Sequence, residues 1–291
     1  MKGHEQTVTS TPPRHRLRVL SVTSGKGGVG KTSIVANLAV AFARRGRKVL
    51  IIDADLGLAN VDILFGLTPR ANIQHLLSGE KGIDDILVEG PGGIRILPAS
   101  SGIYELTHLS SEQRILLLSH LDSLEDRFDI VLIDTGAGIA SNVMYFNAAA
   151  QEVFVVVTPD NTSIADAYAL IKVLTKNFGE KRFQILVNMV QNEFEAVNTF
   201  RKIERAAGKF LHLALTYVGF VTRDDHVRRA ANLQRPIVLE FPASSAARSL
   251  RFVAEEVLRG SPGGGMKGTP QFFWKRLLHE EQDPVLQGGM G

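Results

Sequence analysis

The sequence predicts a doubly wound α/β domain, a mostly parallel sheet with helices on both faces. Three observations predict it: short apolar runs of strand length recur along the chain, helix-length segments separate them, and several runs end in acidic or glycine-rich turns. Strands buried on both faces read as continuous Val/Ile/Leu runs, and parallel neighbours need a crossover long enough to hold a helix. Alternation of the two points to a covered parallel sheet. The first strand is Arg18-Val19-Leu20-Ser21-Val22-Thr23, and a helix-patterned segment from about Thr32 to Arg45 follows it. Lys48-Val49-Leu50-Ile51-Ile52-Asp53 is the second strand. Further strands are expected over 94–98, 129–134, 152–158, 183–190 and 213–221, with helices over 111–127, 163–178 and 193–208.

A chain of 291 residues, 44% of them apolar, buries a sizeable core in one large domain or two. No internal repeat or linker interrupts it before about Arg259. There Gly260-Ser261-Pro262-Gly263-Gly264-Gly265 reads as a flexible tether. The expected organisation is a flexible segment over 1–17, one domain over 18–259, a tether over 260–270, a candidate amphipathic helix over 271–280 and a tail over 281–291. With no cysteine, disulfides, thiolate zinc sites, iron–sulfur clusters and cysteine nucleophiles are excluded. Apolar runs such as Val153 to Val157 fall far short of the roughly 20 residues a spanning helix needs. The polar first eighteen residues, with two prolines, do not resemble a secretory signal, so a cytoplasmic location is expected. The net charge of +3 comes from 33 basic and 30 acidic residues, a small surplus and not a concentrated basic patch.

Chemistry concentrates in Ser24-Gly25-Lys26-Gly27-Gly28-Val29-Gly30-Lys31-Thr32, which completes the phosphate-loop pattern G-x-x-x-x-G-K-[ST]. Its glycines let successive backbone N–H groups turn inward around phosphate, Lys31 reaches the β/γ-phosphates, and the Thr32 hydroxyl ligates Mg²⁺. The following helix, beginning around Thr32 and Ser33, aims its positive dipole end at the same anion. A strand before the loop and a helix after it supply the context that such a short pattern requires. Lys26, just after the first glycine, is an additional lysine that the ordinary loop does not need.

Acids at strand ends supply the metal and water side of the site. Asp134 closes Ile130-Val131-Leu132-Ile133 as the magnesium-supporting aspartate of such a sheet does, and Thr135-Gly136-Ala137-Gly138 follows it. Those glycines let the backbone sense a γ-phosphate. Asp53 and Asp55 end the second strand one residue apart. Either alone reads as a turn or cap residue; beside a phosphate loop and Asp134 they read as functional.

Lys26-Gly-Gly-Val-Gly-Lys-Thr, Asp53-Ala-Asp55-Leu-Gly-Leu-Ala-Asn60-Val-Asp62 and Asp134-Thr-Gly-Ala-Gly together resemble the MinD/ParA family of deviant Walker-A ATPases, in family order and over about Val19 to Leu258. Gly90–Pro98, Ala149–Val153 and Thr162–Lys172 are similar to its flagellar-number regulators of the FlhG/FleN type. The resemblance implies an ATP- and Mg²⁺-dependent ATPase that dimerises with ATP. It implies that Lys26 reaches the partner subunit's nucleotide, that Asp55 orients the attacking water, and that Asp53 and Asp134 support Mg²⁺. Asn188 in Leu186-Val187-Asn188-Met189 matches an adenine-contacting asparagine. Asp224 in Val221-Thr222-Arg223-Asp224 matches the acid of an Ile-Pro-x-Asp turn whose proline is missing here. Implied partners are a second copy, the flagellar GTPase FlhF, and a flagellar transcription regulator or basal-body protein. The segment before Val19 lacks the Asp-Gln-Ala-x-x-Leu-Arg activator motif of some relatives, so stimulation of that GTPase is not implied. MinD-type division-site selection is the alternative, and a metabolic P-loop ligase leaves Lys26 without a role.

In the tail, Phe273, Trp274, Leu277 and Leu278 fall on one helical face, with Lys275, Arg276 and His279 opposite. After a glycine tether this reads as an interfacial helix, as MinD-like relatives carry, expected at the inner face of the cell membrane. The competing reading is a helix docked on its own domain or a partner. The basic cluster Arg44, Arg45, Arg47 and Lys48 lies at the end of the first helix. Dipole placement and solvation account for it, so no nucleic-acid face is expected.

Overall fold

The computed structural model describes residues 17–55, 61–72, 75–76, 78–98, 120, 123–124 and 126–260. The strands are β1 (Arg18–Ser24), β2 (Val49–Ala54), β3 (Val88–Glu89), β4 (Arg95–Leu97), β5 (Ile130–Ala137), β6 (Glu152–Val157), β7 (Phe183–Val190) and β8 (Thr216–Thr222). They form one sheet in the order β3-β4-β2-β5-β1-β6-β7-β8, parallel throughout except for the short antiparallel β3–β4 pair. The helices are α1 (Lys31–Ala43), α2 (Val61–Leu64), α3 (Ile83–Ile86), α4 (Ser141–Ala149), α5 (Asn161–Phe178), α6 (Glu193–Leu211), α7 (Asp225–Asn232), α8 (Ile237–Glu240) and α9 (Ser245–Arg259).

Strand periodicity sorts the core into layers. Leu20, Ile130, Leu132, Phe154 and Val156 face α1 and α9, whose Val35, Leu38, Phe42, Leu250 and Val253 complete one core. On the other face, Val153, Val155 and Val157 meet Leu170, Ile171 and Leu174 of α5 and Ile203 of α6. Val19, Val131 and Ile133 join Phe146 of α4 in a third cluster. Burying a side chain such as Phe42 or Phe154 stabilises the fold by about 1.5–3 kcal/mol. The expected doubly wound sheet is therefore the observed one. The helices over 225–259 and the β3 edge were not anticipated, and the expected helix over 111–127 falls mostly outside the described residues.

At the amino ends of the strands a charge network ties α9 to the sheet. Arg18 donates from Nε and Nη2 to both oxygens of Glu152, at 2.8 and 2.9 Å. Its Nη1 donates to the Val257 carbonyl at 2.7 Å, near the end of α9 where the helix dipole favours a cation. Gln184 adds a bond to Glu152 at 2.6 Å. Among the described residues no helix is long and apolar enough to cross a membrane.

Candidate nucleotide and magnesium site

The opposite end of the sheet holds the phosphate loop. β1 leads through α1 to β2 on one side, while β6 leads through α5 to β7 on the other, so β1 and β6 form a topological switch point. Ligands of such sheets bind there, outside the carboxyl ends of the strands. α5, α6, α7 and α9 begin on the capping side chains Asp160, Asn192, Asp224 and Ser244. α1 instead begins at Gly30, with no side-chain cap. Its first N–H groups are thus left for an anion.

Two glycines of the loop are required for different reasons. Gly30 sits at φ 88°, a left-handed backbone, and an added Cβ would meet Asn188 Nδ2 at 2.7 Å. A Cβ on Gly25 would lie 2.1 Å from the backbone of Asp166, so α5 packs directly against the loop. Asn188 is a strut under it, donating from Nδ2 to the Val29 carbonyl at 2.7 Å. Asn188 Oδ1 is thereby left as the acceptor. Lys31 is buried and donates to Ser24 Oγ at 3.1 Å, and Ser24 Oγ donates to the Lys26 carbonyl at 2.6 Å. Burial pulls the Lys31 pKa down, while Asp134 and Asp55 pull it up.

Asp134 and Asp53 are register partners across β5 and β2, and both are buried. Asp53 accepts from the Asp55 and Val61 backbone N–H groups at 3.2 and 3.3 Å, which pins the chain on either side of the 56–60 segment. A Cβ on Gly136 would come within 3.5 Å of Asp55 Oδ1, so the Asp55 carboxylate lies over the glycine that follows Asp134-Thr135. Gly138 N–H bonds the Ser24 carbonyl at 2.9 Å, joining this second loop to the first. Burial pushes the Asp134 carboxyl up to about 7; Asp53 and Asp55 add to the shift, against the Thr32 hydroxyl bond and the Lys31 charge. Among the described residues Asp134 Oδ1 has no hydrogen-bond partner.

These residues fit magnesium. Mg²⁺ uses one or two protein oxygens and completes its octahedron with phosphate and water. No group of three or more His, Asp or Glu among the described residues is arranged to hold a metal alone. A buried, unpartnered carboxylate oxygen beside a threonine hydroxyl at the head of a phosphate loop is the donor set such an ion needs. When bound, it neutralises charge developing on the phosphates.

Lys26 lies outside this cluster. Its Nζ donates to Asp160 Oδ1 at 3.0 Å and Thr162 Oγ1 at 2.8 Å, both at the start of α5 in its own subunit. Hydrogen bonds from the Thr158 and Thr162 hydroxyls, with those of Ser163 N–H and Lys26, hold Asp160 well below the usual carboxylate range despite opposition from burial. Sequence reasoning missed Asp160 and Thr162; the signal was a Pro-Asp turn at a strand end in line with the loop. Asp224 caps the start of α7 and bridges to the start of α9. Its Oδ1 accepts from His226 N and Nδ1, and its Oδ2 from Ser245 Oγ at 2.9 Å and Ala246 N at 3.1 Å. Phe273, Trp274, Leu277 and Leu278 lie outside the described residues.

An uncapped helix behind a glycine loop, a buried lysine and paired acids at a sheet switch point define a P-loop nucleotide hydrolase. A family model described as an AAA domain matches residues 17–186. The chain is 44% identical over 264 residues to the antiactivator FleN of Pseudomonas aeruginosa, covering 91% of this chain and 94% of FleN. It is 33% identical over 266 residues to the flagellum site-determining protein YlxH of Helicobacter pylori, covering 90% of each. The structure of MinD from Pyrococcus horikoshii complexed with Mg-ADP matches with a TM-score of 0.66 at 25% identity, over 86% of this chain and all of that one (100%). The chain belongs to the MinD/ParA family of deviant Walker-A ATPases, with FleN/FlhG-type relatives, and is an ATPase using ATP and Mg²⁺.

Proposed function

We propose that this ATPase is a switch that dimerises with ATP and controls flagellar number or placement. The observation that carries the flagellar reading is the 44% identity to FleN over nearly the whole chain, against 33% to a MinD of Synechocystis over 82% of it. The phosphate-loop residues Gly25 to Thr32 and Ser33 cradle the triphosphate, with Lys31 on the β/γ-phosphates. Thr32 and Asp134 hold Mg²⁺, and Asp53 keeps the Asp55 segment in place. Asp55, over Gly136, orients the attacking water. Asn188 Oδ1 accepts from the adenine amino group. Lys26 leaves Asp160 and Thr162 to reach the nucleotide of the partner subunit, supplying charge in trans as an arginine finger does.

The domain over 18–259 is the switch, and the segment 271–280 binds the inner membrane face when two copies act together. A doubled weak contact gains roughly 10²–10⁴ in avidity without a new contact. FlhF and a flagellar transcription regulator or basal-body protein are the partners this reading favours, in the cytoplasm and at the membrane.

Light scattering with size exclusion tests the switch: Asp55→Ala with ATP should run as a dimer and Lys26→Ala as a monomer. A monomeric Asp55→Ala protein overturns the assignment. Deleting the gene and counting flagella by electron microscopy tests the role. Normal flagellation with misplaced septa would favour division-site selection instead.

A further inference from the structure

Beside the phosphate loop the structure has a cleft of about 310 Å³, lined by Lys26, Val29, Met189, Gln191, Glu195 and Arg223 among others. That volume lies at the lower end of the range for small-molecule sites. The cleft joins the loop to the carboxyl ends of β7 and β8. Two features of its far wall are not needed by the phosphate chemistry. Met189 holds a left-handed backbone at φ 60° with its side chain 43% exposed, and its Cε lies 3.6 Å from where a Gly30 Cβ would stand. A bulky non-glycine residue in that region is strained, and such strain persists where the surroundings impose it. Glu195 is the second feature. Its Oε2 accepts from the Gln191 N–H at 2.7 Å, while no hydrogen bond to Oε1 is found among the described residues.

A carboxylate in a cleft that opens on a phosphate site can face only hydrogen-bond donors. A nucleotide offers few: the ribose hydroxyls and, on adenine, the 6-amino group. The ring nitrogens of the base are acceptors, and the phosphates are anions. In the function proposed above the adenine amino group goes to Asn188 Oδ1, whose amide donates from Nδ2 to the Val29 carbonyl. Resting on the ATP binding established above, we infer that Glu195 accepts from the ribose hydroxyls, with Met189 as the apolar surface against the sugar or base. The positive end of α6, in whose first turn Glu195 sits, steadies its charge against the nearby phosphates. The chain is thereby a reader of ribonucleotides and discriminates against deoxyribonucleotides.

Titration calorimetry of the full chain with ATP–Mg²⁺, 2′-deoxyATP–Mg²⁺ and 3′-deoxyATP–Mg²⁺ tests this. Wild type should bind ATP about tenfold or more tighter than at least one deoxy form, the size expected for a hydrogen bond to a charged group. Glu195→Ala should bring that ratio close to one by weakening ATP alone. Glu195→Gln, which keeps an acceptor and its bond to Gln191, should keep part of the ratio. Equal binding of all three nucleotides by wild type overturns the inference, as does a ratio unchanged in Glu195→Ala. A uniform loss for all three nucleotides in the variant would mean that Glu195 only caps α6. Failure of wild type to bind any of them would overturn the ATP reading itself, and the ribose site with it.

Discussion

The two ends of the sheet handle buried charge in opposite ways. At the amino end, Arg18, Glu152 and Gln184 form a network in which both Glu152 oxygens are bonded and the guanidinium also closes the end of α9. At the carboxyl end, Asp134 keeps an unpartnered oxygen, Asp53 and Asp55 crowd it, and Lys31 is buried with a pKa pulled down. A satisfied network holds a fold together; a frustrated one costs stability until a ligand completes it. The two ends differ in how far their charges are partnered.

The strongest way to break that comparison is at Lys31. Lys31→Ala should weaken ATP–Mg²⁺ binding by about 10²–10³-fold, as expected for stranding phosphate charge in a water-poor site. Wild-type affinity by calorimetry would mean that the frustrated end is not the ligand end. Asp55→Ala sharpens the picture by separating binding from chemistry. Its hydrolysis should fall by about 10²–10⁴-fold, the usual worth of a group that positions a reacting proton, with ATP affinity kept. A phosphate-release assay beside nucleotide titration decides.

At the amino end the expected effect moves from function to stability. Arg18→Met should cost on the order of 3 kcal/mol by leaving Glu152 buried without its partner. Its affinity for ATP should stay within twofold of wild type, to be read from urea unfolding and calorimetry. A loss of affinity as large as the loss of stability would erase the distinction between the two ends. Asp134→Asn should do the reverse, raising the apo-protein's Tm by about 2–4 °C for each kcal/mol of relieved burial while abolishing tight Mg²⁺-dependent nucleotide binding. A lowered Tm would show that the lone oxygen is not a source of strain.

Asp224 is the sharpest small test, because it lies at the ligand end but is satisfied like the clamp. Burial pushes its carboxyl up, yet bonds from His226, Ala246 and Ser245 more than offset this and hold it well below the usual range. A depressed folded value adds stability above the unfolded carboxylate pKa of about 3.9, and that stability is lost as pH falls through the folded value. Asp224→Ala should therefore lose about 1–3 kcal/mol at pH 7, with the penalty shrinking in acid below about pH 4. ATP affinity should be unaffected. A clear drop in affinity would restore the adenine contact that its motif implied.

The sequence by itself determined the sheet, the loop and its ligand chemistry, because each rests on local order. Apolar strands of fixed length, glycines at fixed offsets and acids at strand ends are all legible residue by residue, and β1, β5, β6 and β7 fall within a few positions of where they were expected. Asp134 was legible as the acid after Ile130–Ile133, although β5 runs on past it to Ala137. Only the tertiary structure decided which polar groups are already satisfied. Lys26 meets Asp160 and Thr162 across more than a hundred residues, and Asn188 meets Val29 across a similar span. Asp224 is bonded to His226 of α7 and to Ser245 and Ala246 of α9, and α9 docks on β8 far from any phosphate-site motif. A hydrogen bond satisfies the geometry of three-dimensional neighbours, and no spacing along the chain encodes which distant donor arrives first.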